Sequence, residues 1–475
     1  MSDKKRTNVA TTISQIVIVC VILVIASFCI NIFVYDDVPQ EEEIQKTVNT
    51  FANLSRTEGV SHSPRIMLDN QDNPHVFWQD GSYDSEANHS NLVYTKWNGS
   101  SWVTADNETY DPMTGNAIVI GHTTFFAWDP AFTIDPQGDP HIFWFGNKEG
   151  TRNDVVFYTK HKDSQWLNYK GESYKDNHKD KFISDTEKDA FLNTASTNRD
   201  GDIFASWFAD KKLVCANIDE GEIKKVSAPI SSNDPIIWMN NQCKQNEADE
   251  IFVCWVDEIT RKNINIIKWD GIIWKTMSGA PYEEKYLSAS ITEANDHKPE
   301  ELRLEFDSDG NPCVFWLDVT KNEGNHDEFI PRFLRWNGNA WDDGGKLSTD
   351  LSKFGVIDNH FSFSLDKNDN PGIVFGEPWG KGDPIKFARW DGENWVGADD
   401  LAFDPQDSET ENFADIKVPE NPTVFRRINK MSLAFDSKNN PHFVWRNSIH
   451  EICDIYYLFW NGEKWTTYSG MENEQ

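Results

Sequence analysis

The chain has 475 residues, with 45 Lys and Arg against 77 Asp and Glu, a formal net charge of −32. That acidity excludes nucleic acid and anionic membrane surfaces as electrostatic partners, because both repel a negative protein. Twenty Trp and an aromatic content of 13% exclude disorder over most of the length, since disordered acidic chains are poor in aromatics.

Lys4, Lys5 and Arg6 open the chain, and residues 13–35 then run without a charge, rich in Ile and Val. As a helix this run spans a bilayer core of about 30 Å. Asp36, Asp37, Glu41, Glu42 and Glu43 follow it. The positive-inside rule predicts a cytoplasmic tail at 1–12, a transmembrane signal anchor at 13–35 and everything beyond it outside the cell. A cleaved signal peptide is the alternative, but its apolar region is normally about 7–15 residues long. Cys29 as a lipoprotein site is disfavoured by the bulky Phe28 before it. Residues 36–60 read as an acidic stalk.

From 61 to 470 one pattern recurs: an apolar strand, an Asp or Asn, a Gly/Asn/Asp turn, often Pro, and a second strand ending in an aromatic residue. Its copies lie at 69–78, 135–144, 198–207, 246–255, 307–316, 366–375 and 436–445. One slot of the turn holds Asp72, Gly138, Gly201, Asp249, Gly310, Asp369 and Asn439, residue types that tolerate positive φ. The leading Asp or Asn can bond the turn backbone from its side chain. A second pattern, Trp-Asn/Asp-Gly-x-x-Trp, follows at 97–102, 269–274, 336–341, 390–395 and 460–465. It is worn to His161 and Trp166 in the second repeat and nearly lost in the third, where Ile218 replaces the first Trp. A two-residue loop pairs Trp97 with Ser100, and a four-residue loop pairs it with Trp102; either way the two indoles share a face.

Each repeat therefore holds four strands, A to D, and seven such units predict an all-β, seven-bladed propeller of four-stranded blades, preceded by the one transmembrane helix. No strand is left over, so each blade is expected to close with local sequence.

The pairing of Asp-x-x-Gly-Asn-Pro, as at 307–312, with Trp-Asn-Gly-x-x-Trp resembles the repeats of secreted propellers loosely grouped as sialidase-like. The resemblance covers about 61–468 and implies the fold; the function of the group is not defined. The Ser-x-Asp-x-Gly-x-Thr-Trp box of sialidases is absent, and no motif places their arginine triad on Arg65, Arg303 or Arg389, so no catalytic residue is carried over.

In a propeller the A–B and C–D turns share one face, and the B–C loops and D–A connections share the other. Here the second set is long and unlike from blade to blade, which is where binding is expected. An acid stands two residues past the B-strand aromatic in four blades: Asp80, Asp257, Asp318 and Glu377. Around a channel mouth they suit a cationic or hydroxyl-rich ligand, or Ca²⁺ as the one conceivable cofactor; the plainer reading is four solvated strand ends. His62 and His360 precede A strands and are the acid/base candidates. Phe125, Phe126, Trp128 and Trp379 are placed to stack on sugars, while His75, His141 and His442 share a B-strand slot and read as structural. No zinc signature, phosphate loop, dinucleotide fingerprint or hydrolase elbow stands in the chain, and no metal site is assigned.

Cys243 and Cys254 fall on neighbouring strands of the fourth repeat. If Leu68 pairs with His75 in the first repeat, the equivalent pairing sets the two cysteines opposite each other, within disulfide range. The whole reads as a membrane-anchored extracellular propeller, a binding or adhesion module for a glycan or protein ligand. A glycoside hydrolase or polysaccharide lyase and a structural surface-layer component are the alternatives.

Overall fold

Seven antiparallel sheets succeed one another along the chain, as the repeat predicts. The structure is a computed structural model. It describes residues 52–56 and 60–468, apart from 82–89, 124–127, 148–152, 175–181, 185–189, 211, 232–240, 257–262, 283–297, 322–326, 343, 346, 348–350, 352–359, 377–384, 402–426 and 450–451. The expected anchor at 13–35 and most of the stalk lie outside the described residues. No helix among the described residues is long and apolar enough to cross a membrane.

The inner (A) strands of blades 1 to 7 are Ser61–Leu68, Trp128–Ile134, Ala190–Thr197, Asn241–Gln245, Lys298–Phe306, Phe361–Leu365 and Arg427–Phe435. They contact one another in cyclic order, the seventh against the first. The B strands behind them, such as Pro74–Asp80 and Ile251–Val256, are buried along their whole length because a neighbouring blade covers each face. Trp78, Trp207 and Trp445 stand on three of these strands at 1% exposure. An aromatic side chain of that size removes about 150–250 Å² from water, worth roughly 4–6 kcal/mol before entropy is charged.

The A–B turns form as expected. The Asp69 carboxylate accepts the amides of Gln71 and Asn73 at 2.8 and 2.9 Å, and the seven turn-slot residues all have positive φ, from 61° at Asp249 to 90° at Gly201. Each turn also holds the next. Asn70 Nδ2 donates to the Pro136 carbonyl at 2.9 Å, and Gly201 lies so close to Pro136 that a Cβ there would meet its ring at 3.3 Å. Asn198 Nδ2 donates to Asp249 at 3.0 Å, and Asn246 Nδ2 donates to the Gly310 carbonyl at 3.1 Å. Ser308 donates through its amide and hydroxyl to Asp369, the Lys367 amide donates to Asn439, and Ser437 donates twice to Asp72. Seven turns thus make an unbroken hoop around one mouth of the ring.

In the five blades that keep both indoles the C–D loops are of the four-residue kind. Trp97 stands opposite Trp102, the Asn98 amide donates to the Ser101 carbonyl at 3.1 Å, and the rings meet edge to face at 5.9 Å.

Two expectations are overturned. Blade 7 is not closed by local sequence alone. Ala52–Asn53, expected in the stalk, pairs with Tyr457 and Tyr456 on the outer edge of the third strand, Ile452–Trp460, beside the local strand Trp465–Thr466. The outer strand of blade 1 is likewise built in two pieces, Trp102–Val103 and Ile118–Thr123. Blade 7 has the same gap and fills it from the front of the chain. The Leu54 amide donates to the Ile455 carbonyl at 2.7 Å, the Ile455 amide donates to Ser55 Oγ at 3.0 Å, and the Tyr110 hydroxyl donates to the Leu54 carbonyl at 2.5 Å.

The second correction concerns register. Leu68 pairs with Pro74, not His75, and in blade 4 Cys243 stands opposite Val253 while Gln242 stands opposite Cys254. A slip of one residue turns a side chain to the other face. Cys243 therefore packs toward blade 3, Cys254 packs toward blade 5, and a bond between them is excluded.

Candidate functional site

Two of the four expected acids, Asp80 and Asp318, lie among the described residues, and both are buried. Asp80 ends the B strand of blade 1 at 1% exposure, where its Oδ2 accepts Ser61 Oγ at 3.0 Å and Trp78 Nε1 at 3.4 Å. Asp318 accepts Trp316 Nε1 at 2.9 Å and Arg332 Nε at 2.8 Å. Both are buried acceptors for the indole two residues earlier, so the reading of these two as solvated strand ends is corrected. Asp257, Glu377, Trp379, Phe125 and Phe126 lie outside the described residues. Trp128 begins the inner strand of blade 2, opposite Phe145, and its side chain lies outside the described set as well.

His62 sits on the inner strand of blade 1, half-buried, next to Ser61, which pairs with Asp80. Burial first, then the Arg446 guanidinium, pulls its pKa down to about 4 against the opposing pull of Asp80. His360 precedes the inner strand of blade 6, and its carbonyl accepts the Gly376 amide at 3.4 Å. The structure thus brings His62, Asp80 and Arg446 together where blade 1 meets blade 7. Among the described residues no three His, Cys, Asp or Glu side chains gather as a metal site.

A cavity of about 340 Å³ lies instead on the turn face, between blades 2 and 3. Blade 2 supplies Asp135, Asp139, His141, Tyr158, Lys160, His161, Lys162 and Tyr169; blade 3 supplies Asp202, Ile218, Asp219 and Glu220. Its position has a cause in the sequence. In five blades the C–D hairpin carries two indoles, which pack against each other at 5.5–5.9 Å. In blade 2 the first indole is His161, and in blade 3 Ile218 faces Ile223 across a tight hairpin with no indole. The cavity opens where the two worn repeats adjoin. Tyr169 bridges its outer side, its carbonyl accepting the Gly221 amide at 2.7 Å. Glu220 approaches so closely that a Cβ at Gly171 would meet Oε1 at 2.7 Å.

At the inner side of the cavity three groups stand in line. The Tyr158 hydroxyl shares a 2.8 Å hydrogen bond with His141 Nδ1, and His141 Nε2 lies 3.6 Å from Asp135 Oδ2. Burial raises the Tyr158 pKa and lowers that of His141. The pair is therefore a neutral phenol and a neutral imidazole. His141 Nε2 is buried and has no hydrogen-bond partner, the 3.6 Å contact being too long for one. Burial acts to raise the Asp135 carboxyl, but His141 and the turn amides outweigh it and hold that group low. Burial and the neighbouring Asp135 push Asp139 up. The same Tyr–His–Asp alignment recurs as Tyr94–His75–Asp69 and Tyr457–His442–Asp436. It belongs to the repeat, which agrees with a structural role for the three histidines. In blade 2 it also borders open space.

No protein-family model matches the chain, and no curated protein matches it in sequence. Solved structures do resemble it. A polysaccharide lyase of family PL25, an ulvan lyase bound to -[GlcA(1-4)Rha3S]-, superposes with a TM-score of 0.51 at 14% identity, over 87% of this chain and 96% of its own. The polysaccharide lyase Uly1 gives 0.49 at 11%, over 85% and 90%. The intramolecular trans-sialidase of Ruminococcus gnavus gives 0.34 at 10%, over 90% and 98%. The chain has a seven-bladed propeller fold whose structural neighbours are ulvan lyase and sialidase-like propellers.

Proposed function

We propose that the chain is a membrane-anchored protein displaying its propeller outside the cell, where it acts as a binding module for neutral or positively charged glycans. The anchor rests on the uncharged run 13–35 and its flanking charges. The binding role rests on one observation: a 340 Å³ cavity at the worn seam, with five carboxylates in its lining against two lysines. Carboxylates suit sugar hydroxyls and amines. The chain's net charge of −32 repels polyanions. The fold shared with an enzyme that acts on a polysaccharide supports a carbohydrate ligand. A lyase reading would use His141 and Tyr158. The recurrence of that pair in blades 1 and 7 favours a structural part for it, and thus a binding module over an enzyme.

The test is binding of the full-length protein in detergent micelles to a panel of neutral, amino and anionic glycans. Saturable binding of a neutral or amino glycan, weakened at least tenfold in Asp202→Asn/Glu220→Gln at unchanged melting temperature, is the expected result. Binding confined to anionic glycans, or indifferent to the double substitution, would overturn the reading. So would a failure to bind any member of the panel.

A further inference from the structure

Cys215 and Cys243 stand 28 positions apart in sequence and 3.1 Å apart between their sulfurs. Cys215 lies on the third strand of blade 3, Lys212–Asp219, and Cys243 on the inner strand of blade 4, Asn241–Gln245. Both side chains are fully buried, in an apolar cluster that includes Phe204, Leu213 and Val253 from the two blades. Cys254 and Cys313 lie in other clusters, and Cys453 accepts a hydrogen bond from Arg446 Nη2 at 2.9 Å.

We propose that Cys215 and Cys243 are joined in the mature protein as a disulfide that staples blade 3 to blade 4. Two buried thiols in contact gain little by remaining reduced, whereas a cross-link removes conformations from the unfolded chain. Burial holds the Cys243 thiol protonated in the closed structure, which argues against a nucleophile or a soft-metal ligand there. Oxidation accordingly takes place during folding, before the seam closes. A thiolate of one cysteine attacks the disulfide of an exchange partner to give a mixed disulfide, and the second thiolate attacks the protein sulfur of that bond and displaces the partner's thiolate. Two thiol protons go to solvent, two electrons pass to the partner disulfide, and that partner leaves as a dithiol once it takes up two protons. The staple stands on the side of blade 3 opposite the cavity. One flank of that blade is loosened by the lost indoles, and the other is fixed by a covalent bond.

The experiment is peptide mapping of the full-length protein, alkylated at lysis and digested without reductant. A cross-linked peptide pair containing Cys215 and Cys243, resolved to single peptides by reductant, is expected. Alkylation of both residues in denaturant without reductant would overturn the proposal. Thermal melting supplies a second readout. Reductant should lower the melting temperature of the wild type to that of C215S/C243S and leave the double variant unchanged. A wild type indifferent to reductant, or an equal shift in both proteins, counts against the staple.

Discussion

Asp72 and Ser437 join the first and last turns of the hoop: the Ser437 amide donates to Oδ1 at 2.8 Å and its hydroxyl donates to Oδ2 at 2.6 Å. Ser308 and Asp369 repeat the contact with the same two lengths. Asp72 has a φ of 63°, so Asp72→Gly keeps the turn and removes only the clasp. The expected loss is about 1 kcal/mol, since the bonds are exposed and partly replaced by water. Urea unfolding of Asp72→Gly, Asp369→Gly and the pair should show additive losses. No change in either single variant would mean the hoop is ornamental.

Ser55 is the acceptor for a buried amide at the ring's closing seam. Ser184 plays the same part in blade 2, accepting the Val156 amide at 2.9 Å. Ser55→Ala should destabilise the propeller by about 1–3 kcal/mol, because a buried N–H is left without a partner. Ser184→Ala should cost a similar amount. Denaturant midpoints and hydrogen exchange at Ile455 check this, and wild-type protection of that amide in Ser55→Ala would refute the role given to residues 52–55.

His62 makes stability depend on pH. Its folded pKa, about 4, lies below the ordinary value of 6.5. The unfolded chain therefore binds more protons between those values, and stability falls as pH drops from 6.5 toward 4. Above 6.5 the imidazole is neutral in both states and contributes no slope. His62→Gln should reduce the slope of the melting-temperature profile in that window, the share of the buried His75 and His141 remaining. An NMR titration of His62 near 6.5 would contradict the assignment.

The cavity lies where the first indole of the pair is missing from two adjoining blades, at His161 and Ile218, so returning one should close it. Ile218→Trp restores the side chain that five other blades carry at this slot. Ile218 is itself buried in the apolar cluster between blades 2 and 3, so the larger side chain should cost about 1–3 kcal/mol of folding stability. Glycan affinity should fall at least tenfold, about 1.4 kcal/mol. Calorimetric binding isotherms decide it: unchanged affinity would place the ligand elsewhere on the propeller.

The blade count, the strand order and all seven positive-φ turns were legible, because each is written in short-range spacing that recurs. Register was not. The distance from Leu68 to His75 allows two hairpins that differ by one residue, and only packing chooses the one that separates Cys243 from Cys254. The closing strand was hidden as well. Ala52 and Asn53 are two residues with no periodicity, and their partners stand at the far end of the chain. The site was half legible. Ile218 and His161 are visible departures from the repeat, but a sequence does not say that two worn blades adjoin across one cavity. Asp80 and Asp318 recur in one slot because each accepts a hydrogen bond from the indole before it.

Ser55 precedes Ile455 by 400 positions, and the bond between them sets an order on biosynthesis. At about 5–20 residues per second a ribosome needs roughly 20–80 s to deliver the second residue after the first. Blades can stack as they emerge, but the segment at 52–55 must wait for its seat. A chain released before the seventh blade is complete leaves that segment unpaired and the circle open. Closure therefore reports on full-length translation, and truncated products carry a raw edge by which proteolysis can tell them from finished ones.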